Sequence, residues 1–474
     1  MRKGPLIAAL CLSASLAQAQ TASTPSGDHA GSAMTYVIVI QHQPLLPELV
    51  SDVSQDQLHS TIQHLVGFGT RHTASDTRST RRGIGAARRW VASQFQAISR
   101  QCGNCLQIET PSQTFTGDRL MRPTEVMDVL AIQRGTTDPD RIIVISGHLD
   151  SRVTDPMNAT SDAPGANDDG SGTAAVIEAA RVLSKHRFAA TLVFASLSGE
   201  EQGLYGGKVL ADYARAHNWR VEADLNNDIV GNSEGTNGVR DTTHVRVFSE
   251  GTRAVETQEE ANRRRYNGGE LDSPSRNLAR FIDQMADRYL TNFDVRIIYR
   301  TDRYGRGGDQ VRMLEAGYPA VRVTEAVENY NRQHQDLRTE NGIRYGDVIE
   351  GVDFAYLAQV ARLNIVSMAA LASAPAPPSG VTIGGGVSSD TTLTWRAVPG
   401  AASYRVWWRA TTEPQWSNHR DAGAATTLKL ENIIIDDSFF GVSAISAEGF
   451  ESPIVFPTVA GAFFPEPPAQ PAAH

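Results

Sequence analysis

Hydrophobic and polar positions fall into different rhythms along the chain. Residues 54–66 and 82–99 repeat apolar side chains at near-helical spacing and are expected to be helices. The second, RGIGAARRWVASQFQAIS, turns a basic face outward, which is read as a solvated surface. From about residue 127 to 373 short β-branched runs alternate with helical ones. VMDVLAIQ, RIIVISG, ATLVFASLS, VEADLNND, HVRVFSE, VRIIYRT and YPAVRVTEA read as strands. GTAAVIEAARVLSKH, GGKVLADYARAH, NLARFIDQMADRYL, DQVRMLEAG and the closing VDFAYLAQVARLNIVSMAALA read as helices. This alternation predicts an α/β fold, a mainly parallel mixed sheet with helices on both faces. Sheets of that kind carry their sites beyond the carboxyl ends of the strands.

The rhythm changes again past a Pro/Ala-rich linker at residues 374–379. TTLTWRAV, SYRVWWRA, TTLKLENII and SFFGVSAISAEGF are short alternating runs separated by turn residues, as in a small all-β sandwich over residues 380–460. Residues 461–474 are expected to be a disordered tail. At the other end, MRKGPLIAALCLSASLAQAQ places Arg2 and Lys3 before a short apolar stretch and Ala17-Gln18-Ala19. That is the layout of a secretory signal peptide cleaved after Ala19, too short to anchor in a bilayer. Leu10 before Cys11 argues against a lipoprotein site. Residues 20–49 form an N-terminal segment, Ser/Thr/Gly/Ala-rich at first, with TYVIVI as an edge strand. The α/β domain, which would carry the chemistry, is assigned to residues 50–373, and the protein is expected in the secreted or periplasmic space without a membrane anchor.

Composition narrows this only slightly. The 474 residues are 41% hydrophobic and 20% charged, enough for a large buried core. The net charge of −9 argues against nucleic acid as the partner, since phosphate binding wants a basic surface. A monomer is expected. Beyond the signal, Cys102 and Cys105 remain, in QCGNC. One tight disulfide is the first reading in an oxidising compartment; a redox pair or a metal site are the alternatives. A redox CxxC should open a helix, whereas this one follows a helix, and zinc would need a second CxxC or nearby His.

The chemistry concentrates just past strand ends. IIVISGHLDS carries His148 and Asp150, APGANDDGSG carries Asp168 and Asp169, and LSGEEQG carries Glu200 and Glu201. ADLNNDIVGN carries Asp228 and ENYNRQHQD carries His334. In a doubly wound sheet all of them can face one rim. Two imidazoles and several carboxylates suit zinc. Two ions about 3.5–4 Å apart need a bridging carboxylate and can activate water between them, leaving one more carboxylate as base.

GHLDS, GANDDGSG, GEEQGLYGG, NNDIVGN and NYNRQH, in this order, resemble the motifs of the secreted di-zinc aminopeptidases typified by the bacterial leucyl aminopeptidases. The resemblance spans most of residues 50–373 and implies a phosphorylase/hydrolase-like α/β fold, two zinc ions per chain and peptide substrates with a free N-terminus. Carried over by position, it implies that His148 binds one zinc alongside Asp228, that Asp168 bridges both, and that Glu201 and His334 complete the other. Glu200 is then the general base, and Asp150 orients the His148 imidazole. The family's Asp-His is replaced by Asp309-Gln310, away from the implied ligands. Tyr304 is the candidate oxyanion donor, one residue out of register; Arg303 and Arg306 either touch a peptide carboxylate or are solvated. The C-terminal segment resembles a fibronectin type III domain, with Trp395 and Tyr404 at core positions, but without its corner tyrosine near Ser438 and Phe439. Of the adjacent Trp407 and Trp408, alternation points one outward.

Each residue also has a bland reading. Asp168 could cap a helix, the glutamate pair could favour a helix dipole, and a lone His is more often a core residue than a ligand. His59, His64, His72, His186 and His217 keep that reading. Carboxypeptidase or dipeptidase action on the same fold, a single-zinc glutaminyl cyclase-like transferase, and a non-catalytic binding protein remain as alternatives.

Overall fold

A computed structural model describes residues 43–464. The expected signal peptide, TYVIVI and the last ten residues lie outside the described residues. Eight strands form one mixed sheet. Its centre is four parallel neighbours: Ala190–Leu197, Asp138–His148, Arg220–Asn227 and Ala320–Glu325. Gln107–Glu109 and Val129–Gln133 join antiparallel on one side. On the other, His244–Phe248 runs antiparallel to Ala320–Glu325 and parallel to Asp294–Ile298. The fold is the α/β class that the alternation predicts.

The central strands are apolar throughout because helices cover both faces. Ile143, Ile145, Phe194 and Leu225 pack on one face, with Gly170–Leu183 and Phe354–Ser373. Val144, Val193, Ala195 and Val221 pack on the other, with Tyr205–Ala216 and Gln310–Glu315. Phe354–Ser373 is long and apolar enough to cross a membrane, but here it is a core helix.

Several boundaries differ from the sequence reading. The N-terminal segment contains a helix, Leu45–Ser51, which buries Leu46 and Leu49 in the main core. VMDVLAIQ is two strands: buried Asp128 parts the hairpin Ser112–Gly117/Leu120–Met127 from the sheet strand Val129–Gln133. Gln258–Asn267 is a helix with no buried side chain, started by a capping box between Thr257 and Glu260. The linker is packed down, since Arg141 donates to the carbonyls of Leu371 and Ala374 while paired with buried Glu222.

The C-terminal unit is a pair of three-stranded antiparallel sheets. Trp395 and Tyr404 are buried between them. Along Ser403–Ala410, Trp408 packs toward that core, whereas Trp407 joins Trp416, Ile454 and Phe456 in a second cluster, so neither ring projects into solvent. Arg409, on the same side as Trp407, meets Asp272 with both carboxylate oxygens at 2.8 and 2.9 Å, and Trp416 donates to Asn277. These contacts dock the sandwich on the helix Pro274–Tyr289. Phe463 is buried in the sandwich core, so the tail begins later than residue 461. Cys102 and Cys105 are disulfide-bonded just past the helix Ile84–Gln101.

Candidate metal centre and active site

The order of the four central parallel strands decides the site. Neighbouring strands stand about 4.8 Å apart, so residues leaving adjacent carboxyl ends converge. His148 closes its strand, Asp228 is the first residue past the next, and Glu200 and Glu201 open the short helix after Ala190–Leu197. His334 lies in the loop that follows Ala320–Glu325. Asp168 stands in the loop before the helix Gly170–Leu183.

These side chains meet in two groups of three, His148 with Glu200 and Asp228, and Asp168 with Glu201 and His334. Asp168 links them: one of its oxygens is 3.2 Å from His148 Nε2 and the other 3.0 Å from His334 Nε2. His334 Nε2 is also 3.1 Å from Glu201 Oε1, and His148 Nε2 is 3.8 Å from Asp228 Oδ1. Ligand atoms about 2.0–2.1 Å from a tetrahedral zinc lie roughly 3.3 Å from one another. The observed separations bracket that value. Buried His148 Nε2 and Glu201 Oε1 have no hydrogen-bond partner, which fits atoms reserved for a cation.

Buried hydrogen bonds leave little freedom behind these side chains. Asp169, not Asp168, caps the helix: its carboxylate accepts from Gly172, from the His148 amide and from the Ile229 amide. Asp168 is thereby left to face the site. Asp347 accepts from the amides of Asn167 and Asp168, and fully buried Arg71 donates to the carbonyls of Leu149, Pro164 and Gly165. Ile229 takes a left-handed backbone, φ 60°, unusual for a β-branched residue, and turns the chain sharply after Asp228. Asp228 Oδ2 is held 2.6 Å from buried Arg322, leaving Oδ1 toward His148.

Asp150 is placed differently from its expected role. The His148 Nδ1–H donates to the Asp150 backbone carbonyl at 3.0 Å, while the carboxylate is 3.6 Å away. That bond fixes Nδ1 as the protonated nitrogen and leaves Nε2 free for a metal. The carboxylate is engaged elsewhere, because Gly199, at φ 80°, turns three successive amides toward it. It accepts from Gly199, Glu200 and Glu201 at 2.8, 3.3 and 3.1 Å, and from the Thr73 hydroxyl. Asp150 therefore holds the glutamate turn.

Electrostatics agree with a cation nest. Burial disfavours a charged His334, yet Glu201 and Asp168 pull its pKa up to about 10. Burial also opposes charge on Asp228, but Arg322 and His148 hold it below the usual carboxylate range. Burial pushes Glu200 well above that range; His148 pulls it down, and the charges of Asp228 and Glu201 add to the rise.

Tyr304 does not join the site. It is 86% exposed, with its ring beneath the Arg300 guanidinium. Gly305, at φ 67°, turns the loop there, so that Arg303 and Arg306 line the cleft instead. Gln310, in place of the family's His, is buried and donates to Asp302. Sequence reasoning missed Arg71, Arg322 and Asp347, which act from 80 to 180 positions away and carry no local signal. His72 keeps its reading as a core histidine: it is buried, with Nε2 2.8 Å from the Pro156 carbonyl and 3.2 Å from Gln202 Nε2.

The chain matches the model of peptidase family M28 over residues 128–348. It is 43% identical over 418 residues to a probable zinc metalloprotease of Pyrenophora teres f. teres (strain 0-1), covering 87% of this chain and 86% of the relative. The chain belongs to peptidase family M28. A second probable zinc metalloprotease, from Leptosphaeria maculans, is 44% identical over 415 residues, covering 86% of this chain and 96% of the relative. Among solved structures, Legionella LapA shares the fold, with a TM-score of 0.50 at 19% identity over 70% of this chain and 77% of LapA. The M28 protein is thus a zinc metallopeptidase, a hydrolase acting on peptides, and its rim of His and carboxylates fits the metal of its family.

Proposed function

We propose that this M28 protein is an aminopeptidase that uses two zinc ions, acting outside the cytoplasm on peptides with a free N-terminus. One observation carries the metal count: Asp168 presents a different oxygen to each of two histidines, as a bridging carboxylate must. His148, Asp228 and Asp168 would hold one ion; Glu201, His334 and Asp168 the other. The ordered motif set supports restriction to a free N-terminus, and the N-terminal targeting layout with the Cys102–Cys105 disulfide supports an exported protein. The two small sheets support a fibronectin type III-like C-terminal domain.

Zinc at this nest supplies a Lewis acid for the scissile carbonyl and lowers the pKa of water to about 7. The chain's own work is positional. Glu200 lies within reach of His148 and Asp228, but Asp168, which stands against both histidines, gives each set its third ligand, so the Glu200 carboxylate is free to take the proton from the attacking water and return it to the leaving amine. Asp150 fixes the turn that keeps Glu200 and Glu201 pointing to these separate tasks.

The test is hydrolysis of aminoacyl-anilides and their N-acetylated forms, with zinc counted on the same sample. Free forms should be cleaved and acetylated ones not, at two zinc per chain. Glu200→Ala should keep both ions and lose at least about 10³-fold in kcat. Cleavage of acetylated substrates alone, or a Glu200→Ala variant near wild-type activity, would overturn the assignment.

A further inference from the structure

The cleft above the nest has a volume of about 640 Å³ and an uneven charge balance. Five arginines line it: Arg119, Arg152, Arg303, Arg306 and Arg312. Of its five carboxylates, Asp168, Glu200, Glu201 and Asp228 belong to the proposed metal nest, which leaves Asp118 in the lining; behind it Arg303 meets Asp302, Arg306 meets Glu328 and Arg312 meets Glu315. The large apolar side chains in the lining, among the described residues, are Leu204 and Tyr205.

Three of these arginines keep a buried nitrogen without a hydrogen-bond partner, Arg303, Arg152 and Arg312, and Arg312 is otherwise paired with Glu315 at 2.8 Å. Arg303 is buried, its side chain 8% exposed, and its Nη1 has no hydrogen-bond partner; Glu328 Oε2 stands 3.6 Å away. Its remaining contacts, to Asp302 and to the Gly307 carbonyl, fix the guanidinium plane. Arg152 Nε is likewise buried without a partner, 3.7 Å from Glu201 Oε2, a carboxylate assigned to the metal. Glu328 cannot neutralise the patch, because it also serves Arg246 at 2.7 Å and Arg306 at 3.0 Å. A buried guanidinium donor without an acceptor is costly, and a carboxylate is the acceptor whose geometry it matches. An aliphatic side chain entering here would strip water from these groups and return no hydrogen bond.

We propose that the cleft selects substrates bringing a carboxylate beside the scissile bond, received by Arg303 and Arg152. This inference rests on the peptidase reading of the same site. The carboxylate comes either from an acidic first side chain or from the free C-terminus of a di- or tripeptide. The zinc-loaded full chain is assayed for kcat/KM on Glu-, Gln- and Leu-anilides, and on Leu-Gly-Gly against Leu-Gly-Gly-amide. A Glu over Gln preference of at least tenfold identifies the side chain as the source; a tenfold loss on amidation identifies the C-terminus. Either preference should shrink as salt rises, through KM. Arg303→Met should bring the preferred ratio close to one, while Arg303→Lys, which keeps the charge, should retain part of it. If Arg303→Met does not fold, Arg306→Gln at the more exposed edge should weaken the same ratio. Equal rates in both comparisons, with free N-termini still cleaved, would overturn the carboxylate selection and leave the aminopeptidase reading standing. If acetylated forms alone are cleaved, that reading falls, and the Glu/Gln comparison repeated in the acetylated series still decides the selection.

Discussion

Replacing Asp150 by Asn removes one negative oxygen and changes nothing else in shape. The carboxylate accepts three backbone amides and one hydroxyl, and is fully buried. An asparagine has one acceptor oxygen, and its NH₂ must face donors on the other side. If the oxygen serves Gly199 and Glu200, the Glu201 amide loses a charge-assisted bond and confronts a second donor. The lost bond to a charged group is worth about 1.5–3 kcal/mol, and leaving the buried amide unsatisfied brings the total to roughly 3–4 kcal/mol. The turn should relieve the clash by moving, and a shift of about 1 Å in catalytic groups costs on the order of 10²-fold in rate. Asp150→Asn should therefore lower unfolding free energy in urea by about 3 kcal/mol and kcat on an aminoacyl-anilide by about 10²-fold. His148, bonded to the backbone carbonyl of residue 150, should keep its orientation. A variant within about 1 kcal/mol and threefold of wild type would refute the assignment of Asp150 as the support of the glutamate turn.

Asp272→Asn should cost about 3–5 kcal/mol, because Asp272, Arg280 and Arg409 are all buried and the change leaves two guanidinium groups short of their counter-charge; limited proteolysis should show the sandwich released from the helix Pro274–Tyr289, and unchanged resistance would contradict this. Glu250 is raised by burial to about 8, above its unfolded value, so the unfolded state sheds the proton first and stability falls as pH rises from about 4.5 to 8. Glu250→Gln, which can still accept from the Ala254 amide, should remove that fall and gain roughly 4 kcal/mol over wild type at pH 9 relative to pH 5; parallel pH profiles for the two proteins would contradict it.

The sheet and the residues that gather at its rim were legible in the sequence because each announces itself locally. β-branched runs alternate with helical ones, and glycines mark the turns around Asp168, between Gly165 and Gly170, and around Glu201, between Gly199 and Gly203. What could not be read is what acts across the sheet. Arg71 reaches the carbonyls around Asp168 from a loop some 90 residues earlier, and Asp347 holds the same loop from about 180 residues later. A buried arginine or aspartate has no periodic signature. The helix Gln258–Asn267 was missed for the opposite reason, since it buries no side chain and leaves no apolar stripe; its Thr257–Glu260 capping box was the available signal. Tyr304 was misplaced because register along an arginine- and glycine-rich loop cannot be counted when each glycine is free to redirect the chain.

Anomalous diffraction at the zinc edge, on crystals of the zinc-loaded protein, addresses the metal centre directly. Two peaks are expected, one on each side of the Asp168 carboxylate, the first beside His148 and Asp228 and the second beside Glu201 and His334. A single peak at full occupancy, or a pair away from Asp168, would contradict the two-ion site.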